Sequence, residues 1–149
     1  MKTNIEAVAR NKAIVRAHYD GAERGNISEF AKSLHPDFVV SAPNYLPWGG
    51  SHHGAERFLQ VILPQAANAL DFGRFGYERF TAEDDHIVVL IRVGVAGSNA
   101  MIKISEHWDL KDEKVLSLWV AYYEPKALMD QLESPGGLNS RRMTDQKEG

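Results

Sequence analysis

The feature of this sequence that most constrains its fold is a series of four apolar stretches, each long enough for a strand and in part alternating with polar residues. They span residues 72–81, 86–95, 100–110 and 115–123. The short segments between them are rich in acidic residues, glycine, serine and asparagine, which is typical of turns between strands. Because turns this short join neighbouring antiparallel strands, the pattern predicts an antiparallel meander.

The first half of the chain is predicted to be mainly helical. Apolar residues recur there at helical spacing, and Asn4 and Ser28 stand where N-caps are expected. Pro64 should kink or shorten the helix that contains it. The predicted elements are helices at 4–24, 29–34, 55–70 and 126–132, a strand at 38–42 and a loop at 43–54.

Helices at the start of the chain and strands in its second half predict the α+β class, with helices packed on one face of an antiparallel sheet. The length of 149 residues fits one domain, which we expect to span residues 1–132. Residues 133–149 contain Pro135-Gly136-Gly137 followed by polar and basic residues. This composition predicts a disordered tail.

Charge and composition exclude several classes of partner. The net charge of −3 argues against a nucleic-acid partner, since phosphate binding needs a positive field. No apolar run approaches the ~20 residues that a membrane span needs, and the N-terminus lacks the apolar segment of a secretory signal, so we expect no membrane partner. The absence of cysteine excludes disulfides and thiolate chemistry and fits the reducing cytoplasm, where we expect the protein to reside.

Several short motifs, taken in their order along the chain, resemble the nuclear transport factor 2-like superfamily, in particular its ketosteroid isomerase and SnoaL-like polyketide cyclase branches. They reach from the first helix almost to residue 132. The motifs are Ala17-His18-Tyr19-Asp20 with Gly25-Asn26, Leu34-His35-Pro36-Asp37-Phe38-Val39-Val40, Trp48-Gly49-Gly50 with Gly54, Glu106-His107-Trp108, and Lys114-Val115 with Ala121-Tyr122-Tyr123-Glu124-Pro125.

The resemblance implies a cone-shaped, cystatin-like α+β barrel in which N-terminal helices close a curved sheet over one pocket. It also implies a cofactor-independent lyase or isomerase, such as a polyketide cyclase or dehydratase, that acts on a small hydrophobic carbonyl compound. Two alternatives stay open. One is an enzyme of the epoxide-hydrolase type, and the other is a non-catalytic module for small-molecule binding or dimerisation.

Glu106 and His18 are the predicted catalytic residues. Glu106 alternates with Ile104 and Trp108 and so lies on an apolar strand face, where burial raises the pKa of a carboxyl group toward that of a general acid. The resemblance places Glu106 and His18 where ketosteroid isomerases carry an acid and a tyrosine that bind an oxyanion. If both side chains face inward, they form an acid–base pair on opposing walls of the pocket. The alternatives are that Glu106 forms a salt bridge at the rim of the sheet and that His18 is a structural histidine.

Ala42 is the main departure from the ketosteroid isomerase pattern. Those enzymes carry an aspartate base immediately before a proline on the first strand, and here Ala42 precedes Pro43. We therefore do not expect steroid isomerisation by that route. A different base would have to come from His52, His53, Tyr45 or Glu106.

The remaining predicted ligand contacts come from the loop at 43–54 and from the apolar sides of helices and strands. Aromatic and histidine side chains in the loop are expected at the pocket mouth, and apolar side chains along its walls. Each apolar residue is equally well explained as ordinary core. The predicted substrate-binding residues are Tyr19, Ala42, Tyr45, Trp48, His53, Val61, Val89, Ile91, Val93, Trp108, Leu118 and Tyr122.

No metal or other cofactor is predicted. His52 and His53 are adjacent, and two neighbouring residues do not easily ligate one metal from a single turn. By strand alternation, Trp119, Arg92 and Tyr123 point away from the pocket. An exposed tryptophan on the outer sheet face, together with the resemblance, predicts a homodimer.

Overall fold

The computed structural model describes residues 2–134, with side chains from residue 5 onward. Strand pairing organises this part of the chain. Six strands form one curved sheet in the order β2-β1-β6-β5-β4-β3, and helices cover one of its faces. The predicted α+β class is confirmed. The strands are β1 Leu34–Ala42, β2 Gly50–His53, β3 Leu70–Glu83, β4 His86–Val95, β5 Met101–Lys111 and β6 Lys114–Tyr123.

Strands β3 to β6 form the antiparallel meander that the alternating pattern predicts. Alternate residues of β4, from Ile87 to Val93, are completely buried, while Arg92 between them is exposed. The tight turns use left-handed backbone at Asp84 before β4 and at Asp112 and Glu113 before β6. Short polar turns therefore place neighbouring strands side by side and turn their apolar residues to one face.

Three features on the other side of the sheet were not predicted. β1 pairs in parallel with β6, so the sheet is mixed and not wholly antiparallel. β1 also begins at Leu34, four residues before the predicted start, with a register shift between Leu34 and Val39 around Pro36. The predicted loop contains β2, which pairs antiparallel with β1 through only four residues.

The helices lie close to their predicted positions, but they are not capped as predicted. Neither predicted cap is correct: α1 already includes Asn4, and Ser28 is the first residue of α2, preceded by Ile27 without a side-chain cap. Ile5, the first apolar residue at helical spacing in the predicted helix, is 73% exposed and does not join the buried side. The helices are α1 Lys2–Arg24, α2 Ser28–Ala31, α3 Ala55–Arg57, α4 Leu63–Ala69 and α5 Lys126–Glu133, with a π-helical turn at Phe58–Ile62.

Helix α1 is placed by the spacing of its buried residues. Asn11, Val15, His18 and Tyr19 are all nearly inaccessible and fall on one side of a 3.6-residue helix. Pro64 does not end the third predicted helix: it lies inside a continuous helical run, just after a π-helical turn, which is a common way for a helix to accommodate a proline. The π-helical turn precedes it and joins α3 to α4 in one helical run.

One apolar core connects the sheet with α1, α2, α5 and the helical run at 55–69. No helix within residues 2–134 is both long and apolar enough to cross a membrane. The last helix ends at Glu133. Of the predicted tail, residues 135–149 lie outside the described part of the chain.

Candidate active site

A cavity of about 260 Å³ lies between the helices and the concave face of the sheet. Its walls come from the C-terminal half of α1, from the helical run at 55–69 and from strands β1, β4, β5 and β6. Nearly all the lining is aliphatic or aromatic, with Ile62 and Leu63 on the helical side and Ile91 and Leu118 on the sheet. Such a cavity is suited to a small, largely apolar molecule.

Glu106 is the carboxylate of this cavity. It lies near the middle of β5, opposite Val89 on one neighbouring strand and Val120 on the other, and is only 9% exposed. Burial among apolar residues raises the pKa of Glu106 to about 7, and a hydrogen bond from Tyr19 acts in the opposite direction. Near neutral pH this side chain can therefore both donate and accept a proton.

Tyr19 holds Glu106 from the side of α1. Its hydroxyl donates to Oε1 of Glu106 at 2.8 Å and accepts a hydrogen bond from the indole Nε1 of Trp108 at 2.9 Å. All three side chains are buried. Burial and the neighbouring Glu106 charge raise the pKa of Tyr19 well above its ordinary value, so Tyr19 stays a neutral phenol.

His18 reaches the cavity from the preceding position of α1. Its ring packs against those of Tyr19, Phe30 and Trp108, with centroid separations of 4.9, 4.9 and 5.0 Å. Burial among these rings lowers the pKa of His18 to about 4, so the imidazole is neutral at physiological pH. Nδ1 is buried without a hydrogen-bond partner.

Seven predicted site residues line the cavity. They include both predicted catalytic residues, so His18 and Glu106 share one apolar space as the sequence led us to expect. Tyr122 also lies here, and burial raises the pKa of its hydroxyl above the ordinary value. The seven residues are His18, Ala42, Trp48, Ile91, Glu106, Leu118 and Tyr122.

The other seven predicted ligand contacts are not among the lining residues. Tyr45 and His53 are exposed, since Tyr45 stands in the turn after β1 and His53 at the end of a short strand at the sheet edge. The remaining five are packed in or against the apolar core. They are Tyr19, Val61, Val89, Val93 and Trp108.

Sequence reasoning missed most of the helical wall. The end of α1 contributes Gly21, Ala22 and Gly25, and the helical run contributes Leu59 and Ala66 among others. A signal was present: Gly21 and Ala22 follow His18 by three and four positions, so small residues share its face of the helix. Small side chains next to a buried histidine leave room for a ligand.

Within residues 2–134 no group of three or more histidine, aspartate or glutamate side chains is arranged to hold a metal ion. Besides the phenol of Tyr122, the ionisable groups that line the cavity are one imidazole and one carboxyl group. The chemistry that this site offers is thus proton transfer and hydrogen bonding in an apolar surrounding.

A curved sheet closed by helices over an apolar cavity that contains a buried imidazole and a buried carboxyl group defines a protein of the nuclear transport factor 2-like fold. A family comparison agrees. Residues 15–118 match the SnoaL-like domain, and the chain belongs to this family. The resemblance inferred from the motifs is confirmed. A comparison with curated proteins found no match.

Solved structures show the same fold at low sequence identity. A candidate SnoaL-like polyketide cyclase from Jannaschia sp. CCS1 is 14% identical with a TM-score of 0.70, covering 87% of this chain and 95% of its own. A steroid delta-isomerase from Pseudomonas aeruginosa is 19% identical with a TM-score of 0.65, covering 81% and 85%. TerC, co-crystallised with polyporic acid, is 21% identical with a TM-score of 0.67, covering 84% and 99%.

Proposed function

We propose that this protein is a cofactor-independent enzyme that isomerises, dehydrates or cyclises a small hydrophobic carbonyl compound by acid–base catalysis. The observation that carries the proposal is the position of Glu106, a buried carboxyl group in an otherwise apolar cavity, with a pKa of about 7. A carboxyl group that titrates near the working pH is well matched to general acid–base catalysis. Relatives with the same fold include a steroid isomerase and a candidate polyketide cyclase.

In the proposed reaction, ionised Glu106 takes a proton from the carbon next to the substrate carbonyl, and negative charge moves to the carbonyl oxygen. The protonated Glu106 then returns the proton. Return to another carbon gives isomerisation, and return to a departing hydroxyl gives dehydration. In a cyclisation the enolate carbon attacks a second carbonyl, and the alkoxide formed there receives the proton.

His18 is the proposed hydrogen-bond donor to the carbonyl oxygen. A neutral imidazole carries one N–H, and buried N–H groups without a partner are rarer in proteins than buried acceptors without one. Nδ1 is the buried, unpartnered nitrogen, so we place the hydrogen on Nε2. A fixed Nε2–H in a dry cavity would stabilise the developing enolate charge.

Ala42 supports a role for Glu106 as the base. The position where ketosteroid isomerases keep an aspartate is part of the cavity wall here and carries only a methyl group. His52, His53 and Tyr45, the other predicted substitutes, are not lining residues. Glu106 is the carboxylate left to move the proton.

The epoxide-opening alternative lacks its second polar partner. Asp109 is hydrogen-bonded to His86 at 2.7 Å and to Ser117 at 3.1 Å outside the cavity, and Arg92 is exposed. Among the described lining residues Glu106 is the only carboxylate, and none carries a guanidinium group. We therefore favour carbonyl chemistry, with a purely binding role as the alternative outcome of the test.

The test is deuterium uptake from D2O at the carbons next to the carbonyl of 2-tetralone, followed by NMR. We expect the wild-type protein to accelerate exchange, with the rate rising as Glu106 ionises through about pH 7. Glu106→Gln should slow exchange about 100-fold or more, because general acid–base catalysis contributes at least that factor. Glu83→Gln, at the exposed end of β3, is the matched control and should exchange at the wild-type rate.

Tetralin has the same carbon skeleton without the carbonyl group and measures binding alone. If tetralin and 2-tetralone bind equally well and exchange never exceeds the buffer rate, the protein is a binding module and the catalytic proposal is wrong. His18→Phe should bind tetralin and lose most of the acceleration. Unchanged exchange in this variant would remove His18 from the mechanism.

The outer face of the sheet is proposed to form a homodimer. Trp119 and Tyr123 lie there on β6 and are 54% and 63% exposed. Exposed aromatic side chains on a flat strand surface favour pairing with a second copy of the same face. A cytoplasmic location also stays a prediction from the sequence.

A further inference from the structure

Three buried side chains from α1 and β5 form a continuous series of hydrogen bonds that ends at the cavity. Trp108 Nε1 donates to the Tyr19 hydroxyl, and that hydroxyl donates to Oε1 of Glu106. Tyr19 and Trp108 are completely buried and do not line the cavity. A ligand would therefore meet Glu106 but neither of the two groups behind it.

The chemistry of the donors fixes the direction of this series. An indole N–H can only donate, so the Tyr19 oxygen must accept from Trp108. The phenol has one hydrogen, and Oε1 of Glu106 is its only hydrogen-bond acceptor within residues 2–134. If Oε1 were protonated, it would donate to Tyr19 and leave the buried phenol hydrogen without a partner, which is unfavourable.

The second carboxyl oxygen of Glu106, Oε2, has no hydrogen bond to any described residue. It is not one of the fully buried polar atoms, so part of its surface is accessible. We propose that Tyr19 and Trp108 are positioning residues that keep Oε1 as a permanent acceptor, so that Oε2 alone carries the proton exchanged with a ligand. The exchange rests on the proposed function. The hydrogen-bond directions do not, because they are properties of the protein without substrate.

Packing keeps the series in place. The Tyr19 ring stacks on Phe75 at 5.7 Å and packs edge to face with Tyr77 at 5.5 Å, so strand β3 supports it. Tyr19 also follows His18 directly on α1, and Trp108 packs against His18 at 5.0 Å. The same two residues thus fix both the acid and the imidazole that face the ligand.

The first test uses the wild-type protein without ligand. The 15N–1H resonance of the Trp108 indole should shift with the same pH midpoint as the Glu106 carboxyl carbon, because charge on Glu106 polarises the intervening phenol. The exposed Trp119 is the internal control and should not follow this midpoint. An indole resonance of Trp108 that ignores the Glu106 titration overturns the proposal.

The second test replaces Tyr19 by phenylalanine. Tyr19→Phe removes a hydrogen bond that favours the charged form of Glu106, and the Glu106 midpoint should rise from about 7 by about 1–2 pH units. Tyr77→Phe removes a hydroxyl from a ring in contact with Tyr19, and should leave the midpoint in place. A midpoint that stays unchanged or falls in Tyr19→Phe also overturns the proposal.

If Tyr19→Phe fails to fold, the indole titration of the wild-type protein decides alone. In a folded variant, the pH profile of 2-tetralone exchange should move with the carboxyl midpoint, while tetralin binding stays unchanged. Linked titrations without any exchange would support the hydrogen-bond series and reject the catalytic function. Exchange in a protein whose Trp108 and Glu106 titrations are not linked would support the catalytic function and reject the hydrogen-bond series.

Discussion

At the scale of single residues, burial acts on His18 and Glu106 in opposite directions but with the same outcome. It lowers the pKa of the histidine and raises that of the glutamate, so both groups favour their neutral forms in the folded protein. The cavity therefore gains two hydrogen-bonding groups without an ion pair in its apolar interior.

The opposing shifts predict how stability depends on pH. From the unfolded value of 4.5 up to about 7, the unfolded chain loses the Glu106 proton and the folded chain keeps it, so stability falls as pH rises. From 6.5 down to about 4, the unfolded chain gains a His18 proton and the folded chain does not, so stability falls as pH falls. Each effect amounts to about 3 kcal/mol, and between pH 4.5 and 6.5 they nearly cancel.

Single substitutions should reveal the two slopes. Urea unfolding of Glu106→Gln should show stability increasing from pH 4.5 to 6.5, because only the His18 effect is left. His18→Phe should show the opposite trend. The double variant supplies the background of all other groups, and single variants whose pH dependence matched it would contradict the opposing pKa shifts.

At the scale of elements, the turn between β1 and β2 supports one wall of the cavity. Leu46 N–H donates to the Pro43 carbonyl at 3.1 Å, and Gly49 N–H donates to the Leu46 carbonyl at 2.9 Å. This compact turn buries Trp48, which lines the cavity. A Cβ atom at Gly49 would overlap the Pro43 carbonyl oxygen.

Gly49→Ala should consequently destabilise the protein by about 1–3 kcal/mol, the usual effect of overpacking. The substitution should also weaken tetralin binding, because the turn must open and move Trp48. Gly54→Ala is the control. Gly54 has a φ of 95° but open space around its Cβ position, so alanine there should cost about 1–3 kcal/mol through backbone strain and leave binding intact. Equal effects on binding would rule out this role of the turn.

Elements with a strong periodic pattern were predictable, and those defined by tertiary contacts were not. β4 has its predicted bounds because a run of mainly aliphatic residues ends at turn residues on both sides. β2 was missed because Gly50–His53 is too short to alternate clearly and becomes a strand only by pairing with β1. The parallel contact between β1 and β6 joins strands far apart in sequence, which local patterns do not record.

The same limit applies to the site. Glu106 was predictable because a carboxylate on an apolar strand face is unusual. The side chains of Val89 and Ile91 point to the same face of the sheet as that of Glu106, yet only Ile91 lines the cavity. Alternation assigns a residue to a face but not to a position along it, so it cannot separate cavity wall from core. The role of Tyr19 required the contact across 87 positions with Glu106.

At the scale of the whole molecule, the sheet separates two functions by its two faces. Val120 and Glu106 are paired in register and point to the cavity, whereas their neighbours Trp119 and His107 are paired on the outer face. The Trp119 and His107 rings meet edge to face at 5.0 Å. A dimer through this face would hold the strands that carry Glu106 without covering the cavity.

This arrangement predicts that the wild-type protein has twice the 16.7 kDa chain mass in size-exclusion chromatography with light scattering. Trp119→Glu should shift it to the monomer mass, because two carboxylates would meet near the symmetry axis of the paired faces. Tyr45→Glu adds the same charge at a residue that is 48% exposed in the turn after β1, and should stay dimeric. Since Trp119 does not reach the cavity, monomeric Trp119→Glu should still bind tetralin. A wild-type monomer at every concentration, or a dimer that survives Trp119→Glu, would show that this face is not the interface.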